Sequence, residues 1–164
     1  MNIQYIKHKE SNVVKTLENS DCLMVTNMQN YIPLYNKFFK LSDNNYNSIN
    51  LNHKYSIVKF LEKISYNKVL CIIKNNENGN EEKTVIFIKY SPLIDPIKYM
   101  IGKYKNYTSG LFDLPKFKST HICKKTDDSN NSAYIDSFFS FLANNLLISH
   151  NVLNGTRFYG SFLA

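Results

Sequence analysis

With 164 residues, 43% hydrophobic and 14% aromatic, the chain has enough apolar material for one ordinary domain over residues 1–164, which excludes a disordered or fibrous class. The formal net charge of +7 rests on lysine, Arg157 being the one arginine, so it suits an anionic partner without supplying the planar forks that phosphate and guanine readers use. Cys22, Cys71 and Cys123 are odd in number and widely spaced, which excludes a disulfide framework, and neither a secretory leader nor a membrane-spanning stretch is visible, so a soluble protein of a reducing, intracellular compartment is expected.

Residues 1 to 20 carry scattered apolar points at Ile3, Tyr5, Val13, Val14 and Leu17, compatible with a short strand or a helix. Asp21 to Val25 has the composition of a brief strand. Leu34, Tyr35, Phe38 and Phe39 recur at helical spacing behind Pro33, whose missing N–H costs nothing in a first turn, so a short amphipathic helix is predicted. Ser42 to Asn52 is dominated by Ser, Asp and Asn, which compete with the backbone for hydrogen bonds, and reads as a loop. Tyr55, Val58, Phe60, Leu61 and Ile64 follow at spacings near three and four, which fits one or two helical turns or a strand entering the next element.

That next element is the clearest local pattern. Two runs rich in β-branched and aromatic residues, Val69 to Lys74 and Thr84 to Tyr90, flank Asn75 to Asn80 with its Asn78-Gly79 pair, a β-hairpin signature. Pro92 and Pro96 end the second strand. Ile97 to Ile101 forms one apolar turn before Gly102, and Lys103 to Thr126 reads as a long polar connection. A helix is predicted over Ser132 to Ser149, with Asn130, Asn131 and Ser132 as N-cap candidates and a wide apolar stripe through Tyr134, Phe138, Phe141, Leu142 and Leu146. Asn154-Gly155 turns the chain, and Arg157 to Leu163 reads as a last strand. An apolar strand at the very end leaves open a polypeptide that continues past Ala164.

Candidate chemistry is sparse. His121 and Cys123 would give a metal two ligands with nothing near in sequence to complete the set, so no metal is expected. No Gly-x-Ser-x-Gly elbow occurs, no residue is assigned as catalytic, and His150 reads as a residue complementing the C-terminal end of the helix dipole. Lys98, Lys103 and Lys105 interleave with Tyr99, Tyr104 and Tyr107, a pattern that could track and stack a single-stranded nucleic acid. The same Lys, Asn, Ile and Tyr excess is what AT-rich coding produces without selection for binding, so a solvated cationic surface is the expected reading of the charge, and the Lys/Tyr set also suits a partially buried loop.

Val85-Ile-Phe-Ile-Lys89, followed by a helix and by Phe158-Tyr-Gly-Ser-Phe162, resembles the order of a protein-kinase N-terminal lobe. The resemblance implies that Lys89 would hold nucleotide phosphates, with Asp136 as the helix carboxylate that positions it, and that ATP and magnesium would be the cofactors. The chain has no Gly-x-Gly loop before the hairpin, and no His-Arg-Asp or Asp-Phe-Gly motif, so phosphoryl transfer by this chain alone is not implied. Phe87 to Lys103, Asn131 to Leu142 and Phe158 to Phe162 together resemble proteins of giant DNA viruses, some described as kinase-like. That resemblance implies a longer protein and a setting in the host cytoplasm, a viral factory or the virion.

The expected fold is therefore α+β: a small antiparallel sheet built on a central β-hairpin, with a long C-terminal helix packed on it, in the manner of a degenerate kinase N-lobe. The expected function is a non-enzymatic viral structural, assembly or protein-interaction domain. The alternatives are a nucleotide-binding lobe that needs a missing C-terminal half and a Lys/Tyr-rich nucleic-acid-binding module.

Overall fold

The computed structural model describes residues 3, 5–7, 12–20, 22–51, 54–107, 110–118 and 123–164, with the backbone alone for residues 6, 7, 12 and 13. The predicted hairpin is present and forms the middle and one edge of a three-stranded antiparallel sheet. Its strands are β3 (Tyr55–Ser65), β4 (Lys68–Asn75) and β5 (Glu81–Phe87), in the order β3-β4-β5. Two shorter strands precede them, β1 (Ile6–Lys7) and β2 (Ile49–Asn50), paired antiparallel in a separate two-stranded sheet.

β4 alternates as a half-buried strand should. Val69, Cys71 and Ile73 face inward, opposite Ile86, Thr84 and Glu82 of β5. The hairpin turn closes through Gly79, at φ 76°, and through Asn75, whose side-chain oxygen accepts from the Glu77 amide. β3 settles the ambiguity of its sequence in favour of a strand. Its pairing with β4 slips between Ile57 and Lys59 and again between Phe60 and Glu62. Each β-bulge inserts a residue, so buried Ile57 and Phe60 fall three apart and imitate helical spacing.

The inner face of this sheet is covered by helix α1 (Asn12–Glu18), which brings Val14 and Leu17 against Phe60, Val69, Cys71, Ile73 and Ile86. Burial among these groups pushes the Cys71 thiol up to about 11, and Cys22, Cys71 and Cys123 are all free and buried. The strand expected at Asp21 to Val25 does not form over its described part, Cys22 to Val25. Met24 has φ 53°, a left-handed conformation that interrupts an extended chain. Asp21 lies outside the described residues.

A second apolar cluster stands beside the first. The 3-10 helical turn Pro33–Lys37 occupies the place of the predicted amphipathic helix and buries Pro33, Leu34 and Tyr35. Against it lies the long helix, here called α4 (Ser132–His150), which buries Tyr134, Phe138 and Phe141 with Ile32, Ile49, Leu51 and Leu163. The α+β class and the long helix are thus as expected, but the packing differs. The sheet's inner face is filled by α1, and α4 finds its apolar partners in the 3-10 turn and the segment around β2.

The remaining helices are short: α2 (Pro96–Met100) is the predicted apolar turn, and α3 (Lys124–Asp127) begins within the stretch expected to be irregular, Lys103 to Thr126, and ends one residue past it. Arg157 to Leu163 is not a strand. Among the described residues it bridges only at Leu163, to Gln29, and its side chains divide between two cores. Tyr159 and Phe162 pack on the sheet cluster, while Phe158 and Leu163 join the helix cluster. The buried Asn144 side-chain oxygen, accepting from the Phe158 amide at 3.0 Å, fixes where the segment starts. No helix among the described residues is long and apolar enough to cross a membrane.

Candidate functional site

Lys89 follows β5 at the point where the Ile88 amide makes a last bond to the Asn67 carbonyl. Asp136 stands in the second turn of α4. Their side chains meet, with Lys89 Nζ 2.7 Å from Asp136 Oδ2, so the pair expected from the kinase-like order is formed. Its setting is open: the Lys89 and Asp136 side chains are 63% and 44% exposed. An ion pair so wet contributes at most about 1 kcal/mol, and its charges are not held for a ligand by burial. A pocket of about 400 Å³ lies elsewhere, between the 3-10 turn and residues 116–118, with Tyr31, Lys37, Phe117 and Asp127 in its wall; neither Lys89 nor Asp136 lines it. Partial burial raises the Asp127 carboxyl above its ordinary value.

The Lys/Tyr set falls on one excursion of the chain, Asp95 to Phe112. Its base is fixed on both sides. Before it, the Leu93 carbonyl accepts from Asn131 Nδ2 at 2.8 Å; Leu111 near its far end and Pro115 beyond it are buried, and the Pro115 carbonyl accepts from Gln29 Nε2. Asp95 caps α2, its carboxylate accepting from the Ile97 and Lys98 amides, and these bonds hold the carboxyl below its usual range. Gly102, at φ 74°, then reverses the chain.

The six residues of the set do not form a free stacking platform. Tyr99 meets Phe112 edge to face at 5.5 Å, Tyr104 accepts from the Asp95 amide and leans on Tyr107, and Lys98 sits 3.7 Å from the Asp95 carboxylate. The Lys105 stem lies against Gly102. Lys103 and Lys105 are exposed, with no ion-pair partner among the described residues.

The residues that sequence reasoning passed over are the aliphatic ones. α2 buries none of its five side chains: Ile97 is 71% exposed and Met100 82%, and Ile101 just beyond is also exposed. Ile97, Met100 and Ile101 sit at i, i+3 and i+4, on one face. The available signal was the shortness of this apolar turn between Pro96 and Gly102, too brief to reach a core from an excursion of this length.

His150 is the last residue of α4, where a cation complements the dipole. His121 of the suggested metal pair lies outside the described residues, and among the described residues no group of three or more His, Cys, Asp or Glu could hold a metal. Protein-family models, curated proteins and solved structures contain no match to this chain.

Proposed function

We propose that the chain is a non-enzymatic interaction or assembly domain, of the giant-virus kind its sequence resembles, working in the host cytoplasm, a viral factory or the virion. The contact surface is the excursion Asp95 to Phe112. The supporting observation is that α2 is ordered at both ends yet buries no side chain of its own. Helices draw most of their stability from burying an apolar face, so an apolar turn held out in water is a surface prepared for another molecule. A photoreactive residue placed at Met100 should give adducts in cells producing the chain, and one placed at Glu77, on the hairpin tip, should give none. Equal labelling from both positions defeats the reading.

The 2.7 Å Lys89–Asp136 pair favours a second reading, a nucleotide-binding lobe that acts with a further domain. Binding to the native state must raise the melting temperature by mass action. A thermal-shift titration with ATP and magnesium, beside Lys89→Ala, separates the two readings. No shift is expected for either protein, and the substitution itself should cost no more than about 1 kcal/mol. A shift in the native chain that Lys89→Ala abolishes would install the nucleotide reading instead.

A further inference from the structure

We propose that the excursion Asp95 to Phe112 docks on an anionic bilayer surface, with Ile97, Met100 and Ile101 entering the headgroup–acyl boundary and Lys103 and Lys105 meeting the headgroups. This deepens the interaction reading above and rests on it. Three features select a lipid surface over other occupants. The exposed apolar side chains stand on a segment anchored on both flanks through the Leu93 and Pro115 carbonyls, so they are held at the surface where a layer could receive them. Its charge is complementary: residues 95–112 carry three lysines against one aspartate, and Asp95 is already engaged by the α2 amides and by Lys98, which leaves Lys103 and Lys105 exposed. Interfacial segments combine such a cationic rim with an aliphatic face and with tyrosines whose hydroxyls stay in the headgroup layer, the place of Tyr99, Tyr104 and Tyr107 here.

A single-stranded nucleic acid fits the same residues less well. Bases need free aromatic faces, and Ile97, Met100 and Ile101 offer none. Tyr99, Tyr104 and Tyr107 already have neighbours within the excursion.

The test is co-sedimentation with vesicles of phosphatidylcholine containing about a third phosphatidylserine, beside pure phosphatidylcholine vesicles. The protein should bind the mixed vesicles and not the neutral ones, and added salt should weaken binding. The pair Lys103→Gln and Lys105→Gln should weaken it roughly 30-fold, about fivefold for each lysine removed. The pair Ile97→Ser and Met100→Ser should weaken it at least tenfold, roughly, with an unchanged melting curve because these side chains bury nothing in the fold.

Equal binding to both vesicle types, or variants that bind as the native chain does, overturns the proposal. So does absence of vesicle binding, and position 100 then reports on the broader reading. Protein adducts there would leave an interaction domain with another partner, and no adducts would retire both. Loss of single-stranded oligonucleotide binding in the lysine pair, without vesicle binding, would transfer the surface to nucleic acid.

Discussion

Replacing Asn131 by alanine should destabilise the fold by about 3 kcal/mol, the sum of a lost helix cap and two partly buried carbonyls left without donors. Asn131 is 1% exposed and is the meeting point of three segments. Its side-chain oxygen accepts from the Ala133 amide and so caps α4; its Nδ2 donates to the Leu93 carbonyl at 2.8 Å and to the Lys125 carbonyl at 3.0 Å. Serine at this position would restore the cap and neither donation, so Asn131→Ser should recover about 1 kcal/mol of the loss. Urea denaturation of the three proteins measures both steps, and hydrogen exchange should quicken at the Ile97 and Lys98 amides once Leu93 is released. A cost below about 1 kcal/mol for the alanine variant would mean that the cap alone matters and that the excursion is held by other bonds.

Phe60→Ala should cost about 3 to 5 kcal/mol, the usual range for deleting a buried aromatic ring from a packed core. Phe60 is 2% exposed, placed inward by the β3 bulges, and covered by Val14 and Leu17 of α1. Loss of its ring leaves a cavity that a seven-residue helix has few contacts with which to close. Urea denaturation followed by far-ultraviolet and near-ultraviolet circular dichroism should give coincident transitions shifted together, because Tyr159 and Phe162 tie this core to the one beneath α4. Transitions that separate in the variant would show that the two clusters unfold independently.

The hairpin, the α2 turn and α4 were legible because each is specified locally. Asn78-Gly79 demands a turn, Asp95 and Pro96 open a helix, and Asn131 followed by a long apolar stripe starts another. Packing was not local. Both α1 and α4 are amphipathic, and nothing in either stripe says which of them covers the sheet. β3 was ambiguous because its bulges break the two-residue alternation that identifies strands. The segment at 157–163 carries strand composition, but a strand also needs a neighbour to pair with along its length, and among the described residues it bridges only at Leu163, to Gln29.

The site was half legible. The kinase-like order implies that Lys89 and Asp136 approach each other in a cleft; they do meet, but in the open, and that exposure depends on how α4 is seated. Lys98, Lys103 and Lys105 stand on the surface as the interleaved pattern implies. The aliphatic face beside them was hidden by the ordinary expectation that Ile and Met go inside.

The bridge between Gln29 and Leu163 has a kinetic meaning. It joins residues 134 positions apart (163 − 29), whereas β3, β4 and β5 are neighbours in sequence joined by short turns. Closing a long loop exacts its entropy before any contact repays it, so the three strands should order first. The cluster beneath α4, which draws Ile32, Phe141 and Leu163 from distant parts of the chain, would assemble on that earlier platform and set the overall folding rate.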